Sequence, residues 1–214
     1  GSFCNRKGIA FHTDAAQALG YLDLDPDKLR IDLMSLSAHK IYGPKGIGAL
    51  VIREGLPLEP SQYGGGQELG LRSGTLPVPL IVGFAKAVEI TNNDQAERNK
   101  RLLFLRNLLL SGLKKNISKL IVNGSIDQRL PHNLNITFPG VKGSQLHGQL
   151  RRFIFCTSGS ACSNGEASHV LQEIGLCKKD AEASIRMSIG RNTTEKDIKK
   201  AIEIITNIVI NLRE

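Results

Sequence analysis

The 214-residue sequence contains no tryptophan, only three tyrosines and no hydrophobic run long enough to cross a membrane. A spanning helix needs roughly 20 consecutive apolar residues, whereas the longest candidate, AIEIITNIVINL, is interrupted by glutamate, threonine and asparagine. We therefore expect no membrane association through a spanning helix. The scarcity of aromatic rings leaves little for nucleotide bases to stack on, and the net charge of +8 is scattered. For both reasons we expect no nucleic-acid site. An acidic protein partner or an anionic small ligand accounts for the charge as well.

The cysteines are few and form no metal-binding pattern. Cys4, Cys156, Cys162 and Cys177 have no CxxC spacing and no paired histidines, so neither a structural zinc site nor another metal site is expected. Nothing indicates an oxidising compartment, and we expect free thiols in a bacterial-type cytoplasm or an organellar matrix. The opening GSFCNRKGIAF lacks a signal-peptide core and an initiator methionine, which is typical of the interior of a longer protein or of a cloning scar.

Apolar segments alternate with loops over the first 55 residues. Three of them have the pattern of buried strands: GIAFHT, DLMSLSAH and GIGALVIR. The segment DAAQALGYL predicts a helix that opens on an acidic residue. Short strands with crossing connections predict an α/β sheet covered on both faces. A helical tract follows from Pro79 to Lys115, and its polar middle predicts the end of a first domain that covers residues 1–93.

Residues 94–214 predict a smaller α+β domain. Strand patterns occur in KLIVNG, LNITFPG and ASIRMSIG, and a helix pattern occurs in SQLHGQLRRF. The last helix is expected to begin at Thr194, with Asp197 completing a weak capping box. Its apolar residues recur at helical spacing and form one stripe: Ile198, Ala201, Ile202, Ile205, Ile208, Val209 and Leu212.

Polar side chains stand where two predicted strands of the first domain end. Asp14 lies at a strand-to-helix junction, where α/β enzymes place ligand-binding groups, although an acidic residue there can simply cap a helix. In SLSAHKIYGPKGIGAL, the side chains of Ser37, His39 and Lys40 could form a pocket for a phosphate and a carbonyl group. A solvated lysine at a strand end is the commoner alternative.

Two candidate residues lie in the second domain. Cys162 stands in TSGSACSNGEAS, a run of small polar residues that indicates an exposed thiol and favours a nucleophile over a packing residue. Arg186 is expected on one face of a strand, where it can bind a carboxylate through two hydrogen bonds or form a structural ion pair. Together with Asp14 and Lys40, these residues indicate a pyridoxal-phosphate enzyme with a thiol nucleophile.

Five segments resemble, in order, the motifs of the NifS/IscS-type cysteine desulfurases: FHTDAAQALG, SLSAHKIYGPKGIGAL, GGGQELGLRSGT, TSGSACSNGEASHVL and SIRMSIGRNTTEKDI. These enzymes belong to the class V aminotransferase group. The resemblance spans essentially the whole chain and about the C-terminal half of a family member. It implies fold type I of the pyridoxal-phosphate enzymes. Residues 1–93 would then be part of a large domain with a mixed, mostly parallel sheet and flanking helices, and residues 94–214 the small α+β domain with the cysteine loop.

The resemblance also implies roles for individual residues. Pyridoxal 5′-phosphate would be bound by Asp14, Gln17, Ser37, His39, Lys40 and Thr75. Lys40 would hold the cofactor covalently, Asp14 would pair with its ring nitrogen, and Thr75 would serve the pocket of a partner subunit in a homodimer. Cys162 would accept sulfur from the substrate, and Arg186 would bind the substrate carboxylate.

The expected activity is that of a cysteine desulfurase, which converts L-cysteine into L-alanine and an enzyme persulfide. The sulfur would pass to an acceptor or an iron-sulfur scaffold protein. The alternatives are another class V enzyme, such as an aminotransferase or a selenocysteine lyase, and an inactive fragment that acts only in dimerisation or partner binding. Leu69 departs from the family pattern, because many relatives carry arginine there. The upstream half of family members, which supplies a ring-stacking histidine and much of the sheet, is not part of this sequence.

Overall fold

A computed structural model describes residues 1–154, 156–157 and 167–214. The chain divides into two compact units, Gly1–Gln95 and Ala96–Glu214. The boundary after residue 93, and the assignment of the two parts to a cofactor domain and a small domain, stay predictions. Among the described residues, no helix combines the length and the apolar character needed to cross a membrane.

The first unit is built around a three-stranded sheet. Its elements are α1 (Ser2–Lys7), β1 (His12–Asp14), α2 (Pro26–Leu29), β2 (Leu33–Ser37), β3 (Gly48–Ile52) and α3 (Val78–Asn93). Strand β2 lies in the middle, parallel to β1 and antiparallel to β3. The sheet is therefore mixed, and the unit has the α/β character that the sequence predicts.

Apolar packing fixes the turn that follows β2. Ala38 and Ile41, in the 3₁₀ turn Ala38–Ile41, are buried in one cluster with Phe84 and Ala87 of α3. Burial of a side chain as large as Ile41 or Phe84 stabilises the fold by roughly 1.5–3 kcal/mol. Helix α3 thus holds the backbone immediately beside His39 and Lys40, while those two side chains remain exposed.

The segment DAAQALGYL forms turns rather than the predicted helix. The N–H group of Leu19 does bond to the carbonyl oxygen of Ala15. Gly20, however, takes a φ angle of +81°, which is outside the right-handed helical region. The right-handed helical conformation cannot continue through that residue, and the helix prediction is wrong here.

The second unit consists of an antiparallel sheet and helices. Its elements are α4 (Gln95–Asn116), which begins at the boundary, β4 (Ile121–Val122), β5 (Asn133–Thr137), α5 (Gly143–Leu150), α6 (His169–Glu173), α7 (Lys178–Glu182), β6 (Ser184–Ser188) and α8 (Glu195–Asn211). The strand order is β4-β5-β6, and both pairs are antiparallel. The helical tract predicted from Pro79 to Lys115 is two helices, α3 and α4, which are separated at Asp94.

Helix α8 begins as its sequence predicts. The Thr194 side chain accepts a hydrogen bond from the N–H of Asp197 at 3.2 Å, and the Asp197 carboxylate accepts one from the N–H of Thr194 at 2.9 Å. The capping box is confirmed. Four residues of the predicted stripe are buried: Ile198, Ile205, Ile208 and Val209.

Candidate functional site

The carboxyl ends of β1 and β2 meet at one edge of the first sheet, because the two strands are parallel. Asp14 is the last residue of β1, and Ser37 is the last residue of β2. His39 and Lys40 follow directly in the 3₁₀ turn. The structure therefore brings these four residues to the edge where open α/β sheets bind ligands.

Ser37 and His39 form a hydrogen-bonded pair. The Ser37 hydroxyl lies 2.9 Å from Nδ1 of His39, and this contact orients the imidazole so that Nε2 faces away from the serine. Ser37 is half-buried, whereas His39 is exposed. A hydroxyl and an imidazole held side by side can both donate hydrogen bonds to the oxygens of an anion.

Asp14 is oriented by a local turn. Its Oδ1 accepts a hydrogen bond from the N–H of Ala16 at 2.9 Å, which is the contact of an Asx-turn. The alternative role as a helix cap is not supported, because the residues directly after Asp14 form turns rather than a helix. Asp14 is exposed, as is Gln17 in the next turn, so both side chains are accessible to a ligand at this edge.

Close packing shapes the chain reversal after Lys40. A Cβ atom added at Gly43 would lie 2.9 Å from the carbonyl oxygen of Ala38 and 3.1 Å from Cβ of Ala87, so only glycine fits. Tyr42 takes a left-handed φ of +66° just before it. Lys40 is exposed and makes no ion pair among the described residues, which leaves its amine accessible.

Thr75 lies in a different loop, between the 3₁₀ turn Glu68–Gly70 and α3. It is exposed, and no hydrogen bond of the described residues links it to the β1–β2 edge. Neighbouring Ser73 is buried and donates to the carbonyl oxygen of Tyr63 at 3.1 Å. Leu69, inside that 3₁₀ turn, has a φ of +57° and is 98% exposed.

Arg186 lies in β6 of the second unit and is half-buried. Its backbone N–H donates to the carbonyl oxygen of Thr157 at 2.8 Å. No carboxylate of the described residues forms an ion pair with its guanidinium. The structural ion pair considered for this residue is therefore not found in the part of the chain that the structure describes, and the cation can accept an anionic ligand.

Cys162 and the loop around it lie outside the described residues. The other cysteines are described. Cys4 and Cys156 are half-buried, and Cys177 is exposed. Burial raises the pKa of the Cys156 thiol, which disfavours the reactive thiolate.

A polar network beside Arg186 was not predicted from the sequence. Nδ2 of Asn123 donates to Oδ1 of Asn135 at 2.7 Å and to Oγ1 of Thr137 at 2.9 Å. The Thr137 hydroxyl also lies 2.7 Å from that of Ser184. Polar residues alternate with apolar ones in NLNIT, which places Asn135 and Thr137 on one face of β5. This alternation is the sequence pattern from which a shared polar face could have been predicted.

Comparison with known proteins identifies the family. The sequence profile described as Aminotransferase class-V matches residues 1–201. The chain belongs to the class-V aminotransferase family. Members of that family depend on pyridoxal phosphate.

Two curated proteins are similar to this chain in sequence. Cysteine desulfurase IscS of Dechloromonas aromatica is 47% identical over 218 residues, which cover 100% of this chain and 53% of that protein. The protein of the same name from Vibrio vulnificus (strain YJ016) is 48% identical over a match that covers 100% of this chain and 54% of that protein. The chain thus spans about half the length of the curated relatives it matches.

Two solved structures confirm fold type I for this chain. A NifS-like protein superposes with a TM-score of 0.85 at 36% identity, covering 96% of this chain and 54% of that one. The NifS-like protein of Rickettsia africae superposes with a TM-score of 0.87 at 29% identity, covering 97% and 55%.

The residues at the β1–β2 edge fit pyridoxal phosphate. The oriented Asp14 carboxylate suits a protonated pyridine nitrogen. The Ser37–His39 pair, linked at 2.9 Å, suits a phosphate group, and the accessible Lys40 amine suits an aldehyde. All of these groups lie within one unit, on the ends of two adjacent strands.

Proposed function

We propose that this chain supplies about half of a cysteine desulfurase, which uses pyridoxal phosphate to convert L-cysteine into L-alanine and an enzyme persulfide. The proposal is supported above all by the group of Asp14, Ser37, His39 and Lys40 at the β1–β2 edge. That group occurs in a chain 47% and 48% identical to two proteins named cysteine desulfurase IscS.

The first unit binds the cofactor. Pyridoxal phosphate, when bound, supplies an electron sink next to the α-carbon of an amino acid. The Asp14 carboxylate would hold a proton at the pyridine nitrogen, Gln17 would contact the ring hydroxyl, and Ser37 and His39 would donate to the phosphate. Nζ of Lys40 would be the attachment point for the cofactor and would move the α-proton of the substrate as a general base.

The second unit binds the substrate and accepts the sulfur. The Arg186 guanidinium binds the substrate carboxylate. The Cys162 thiolate attacks the substrate sulfur, so an S–S bond forms as the bond between sulfur and the β-carbon breaks. The electron pair of the broken bond stays with the β-carbon, whose protonation gives L-alanine. The transferred sulfur remains on Cys162 as a persulfide.

The proposed partners follow from the same assignment. A homodimer would place Thr75 in the phosphate site of the partner subunit. A sulfur-acceptor or iron-sulfur scaffold protein would receive the persulfide sulfur, in the cytoplasm or an organellar matrix. Contact with nucleic acid or a membrane is not part of the proposal.

The full-length enzyme with bound cofactor tests this function. Incubation with L-cysteine and a thiol reductant is expected to release alanine and sulfide in equal amounts. Cys162→Ala should lower turnover by about a hundredfold or more, because it removes the nucleophile. Cys177→Ala is the matched control and should leave turnover unchanged. Full activity in Cys162→Ala would instead support another class-V reaction that needs no thiol.

A further inference from the structure

Asn135 and Arg186 are direct neighbours across β5 and β6. Arg186 exchanges both of its backbone hydrogen bonds with Thr157, at 2.8 Å and 3.4 Å. Its N–H and C=O groups therefore point away from β5, which makes Asn135 and Arg186 a non-hydrogen-bonded pair. In such pairs the Cα atoms are about 4.5 Å apart and the side chains lie close together on one face.

The Asn135 amide is held in one orientation. Its Oδ1 accepts a hydrogen bond from Nδ2 of Asn123 at 2.7 Å, and its backbone oxygen accepts the N–H of Asn123 at 3.0 Å. Since the amide oxygen faces Asn123, the Asn135 NH₂ group is turned away from β4 and remains a donor. Asn135 is half-buried, as Arg186 is.

Asn123 is itself fixed by buried contacts. It is 4% exposed, and its Oδ1 accepts a hydrogen bond from Oγ1 of Thr137 at 3.0 Å. Thr137 lies 2.7 Å from the Ser184 hydroxyl, which donates to the carbonyl oxygen of Asp180 at 2.7 Å. Thr137 and Ser184 are completely buried. A fully satisfied buried network of this kind is rigid, so it can hold a neighbouring amide in place.

These contacts place a fixed neutral donor beside a cation that has no ion pair among the described residues. We propose that the Asn135 NH₂ group donates a second contact to the substrate carboxylate bound by Arg186, and that Asn123 positions Asn135 for this contact. The inference rests on the proposed function. It adds two residues to the carboxylate site of the same reaction: Asn135 binds the substrate, and Asn123 acts through Asn135.

The test compares two ligands that differ only in the carboxylate. L-Alanine, the product, carries it, and ethylamine lacks it. Calorimetric titration of the full-length enzyme with bound cofactor gives the affinity for each. Asn135→Asp keeps the size of the side chain but replaces the donor with a negative oxygen. It should weaken L-alanine binding about tenfold or more and leave ethylamine binding unchanged.

Further variants separate a binding role from a structural one. Asn135→Ala removes the donor without adding charge and should weaken L-alanine binding less than Asn135→Asp. Asn123→Ala should weaken it too, since Asn135 is then free to rotate. Ser188→Ala, on the same face of β6, is the matched control and should change neither affinity. In turnover assays the Asn135 variants should raise KM for L-cysteine more than they lower kcat.

Several outcomes would overturn the inference. Equal loss of L-alanine and ethylamine binding, or a lowered melting temperature with both affinities intact, would mean that Asn135 only supports the sheet. The variant Arg186→Ala tests separately whether Arg186 itself binds the carboxylate. If this variant keeps the wild-type preference for L-alanine over ethylamine, Arg186 does not bind the carboxylate, and the proposed role of Arg186 fails along with the inference. If Arg186→Ala loses the preference but Asn135→Asp keeps it, the inference alone is wrong.

Discussion

Lys40 and Lys45 lie on either side of the chain reversal that follows β2, and both are exposed. Only Lys40 stands in the 3₁₀ turn beside the Ser37–His39 pair. We therefore predict that borohydride reduction of the full-length enzyme fixes the cofactor to the peptide that contains Lys40. Lys45→Ala is the control and should be labelled as the wild type is. Cofactor found on Lys45 would contradict the assignment.

We predict that His132 makes the stability of the second unit depend on pH. It is 8% exposed, and burial lowers the pKa of its imidazole from 6.5 to about 4. Between these values the unfolded chain binds a proton that the folded chain does not, so stability falls as the pH drops from 6.5 towards 4. The full difference is on the order of 3 kcal/mol.

Urea unfolding of the full-length protein at pH 7 and pH 5, followed by circular dichroism, measures this effect. His132→Gln should remove part of the loss of stability at pH 5, because glutamine does not titrate. His169→Gln, at the exposed start of α6, is the control. Its stability should fall between pH 7 and pH 5 by as much as that of the wild type. An unchanged pH dependence in His132→Gln would show that other groups cause it.

At the scale of elements, the start of α8 is the clearest case of local control. Hydrogen bonds from the Thr194 side chain and N–H hold the pKa of Asp197 below its usual value. When the pKa of a carboxylate is lower in the folded than in the unfolded chain, the carboxylate stabilises the folded state at any pH above the unfolded value. This contribution is lost as the pH falls through the folded value. Thr194→Ala should therefore destabilise α8 by about 1 kcal/mol at pH 7 and by less in acid.

Hydrogen exchange of the first-turn amides of α8 measures that prediction. Lys199→Ala, at an exposed position of the same helix, is the control and should change protection little. Equal loss of protection in both variants would mean that the capping box contributes nothing of its own.

What the sequence could predict depended on how local each signal was. The strand patterns and the Thr194–Asp197 box are complete within a few residues, and the structure confirms them. The segment after Asp14 has a helical composition, but Gly20 adopts a left-handed conformation that the pattern does not reveal. The Asn123–Asn135 contact was also out of reach, because it depends on the register of two strands that are separate in the chain.

At the scale of the whole molecule, the first unit exposes several large apolar side chains. Strands β1 and β3 are the outer strands of the three-stranded sheet, and each pairs with a neighbour on one side only among the described residues. Ile9, Leu50, Tyr63 and Val82 are 55%, 47%, 78% and 61% exposed. Unpaired strand edges and exposed apolar side chains both promote aggregation. In relatives about twice as long, further chain is available to cover such surfaces.

We therefore predict that residues 1–214, expressed alone, bind pyridoxal phosphate weakly, aggregate readily and show little or no desulfurase activity. Size-exclusion chromatography, absorbance titration with the cofactor and sulfide release from L-cysteine measure the three properties. Co-expression with the rest of a full-length protein, or restoration of one continuous chain, should recover binding and activity together, because the added chain covers the sheet and completes the site. A monodisperse 214-residue protein that releases sulfide as fast as the full-length enzyme would contradict the prediction. The groups at the β1–β2 edge and in the second unit would then be sufficient for the reaction.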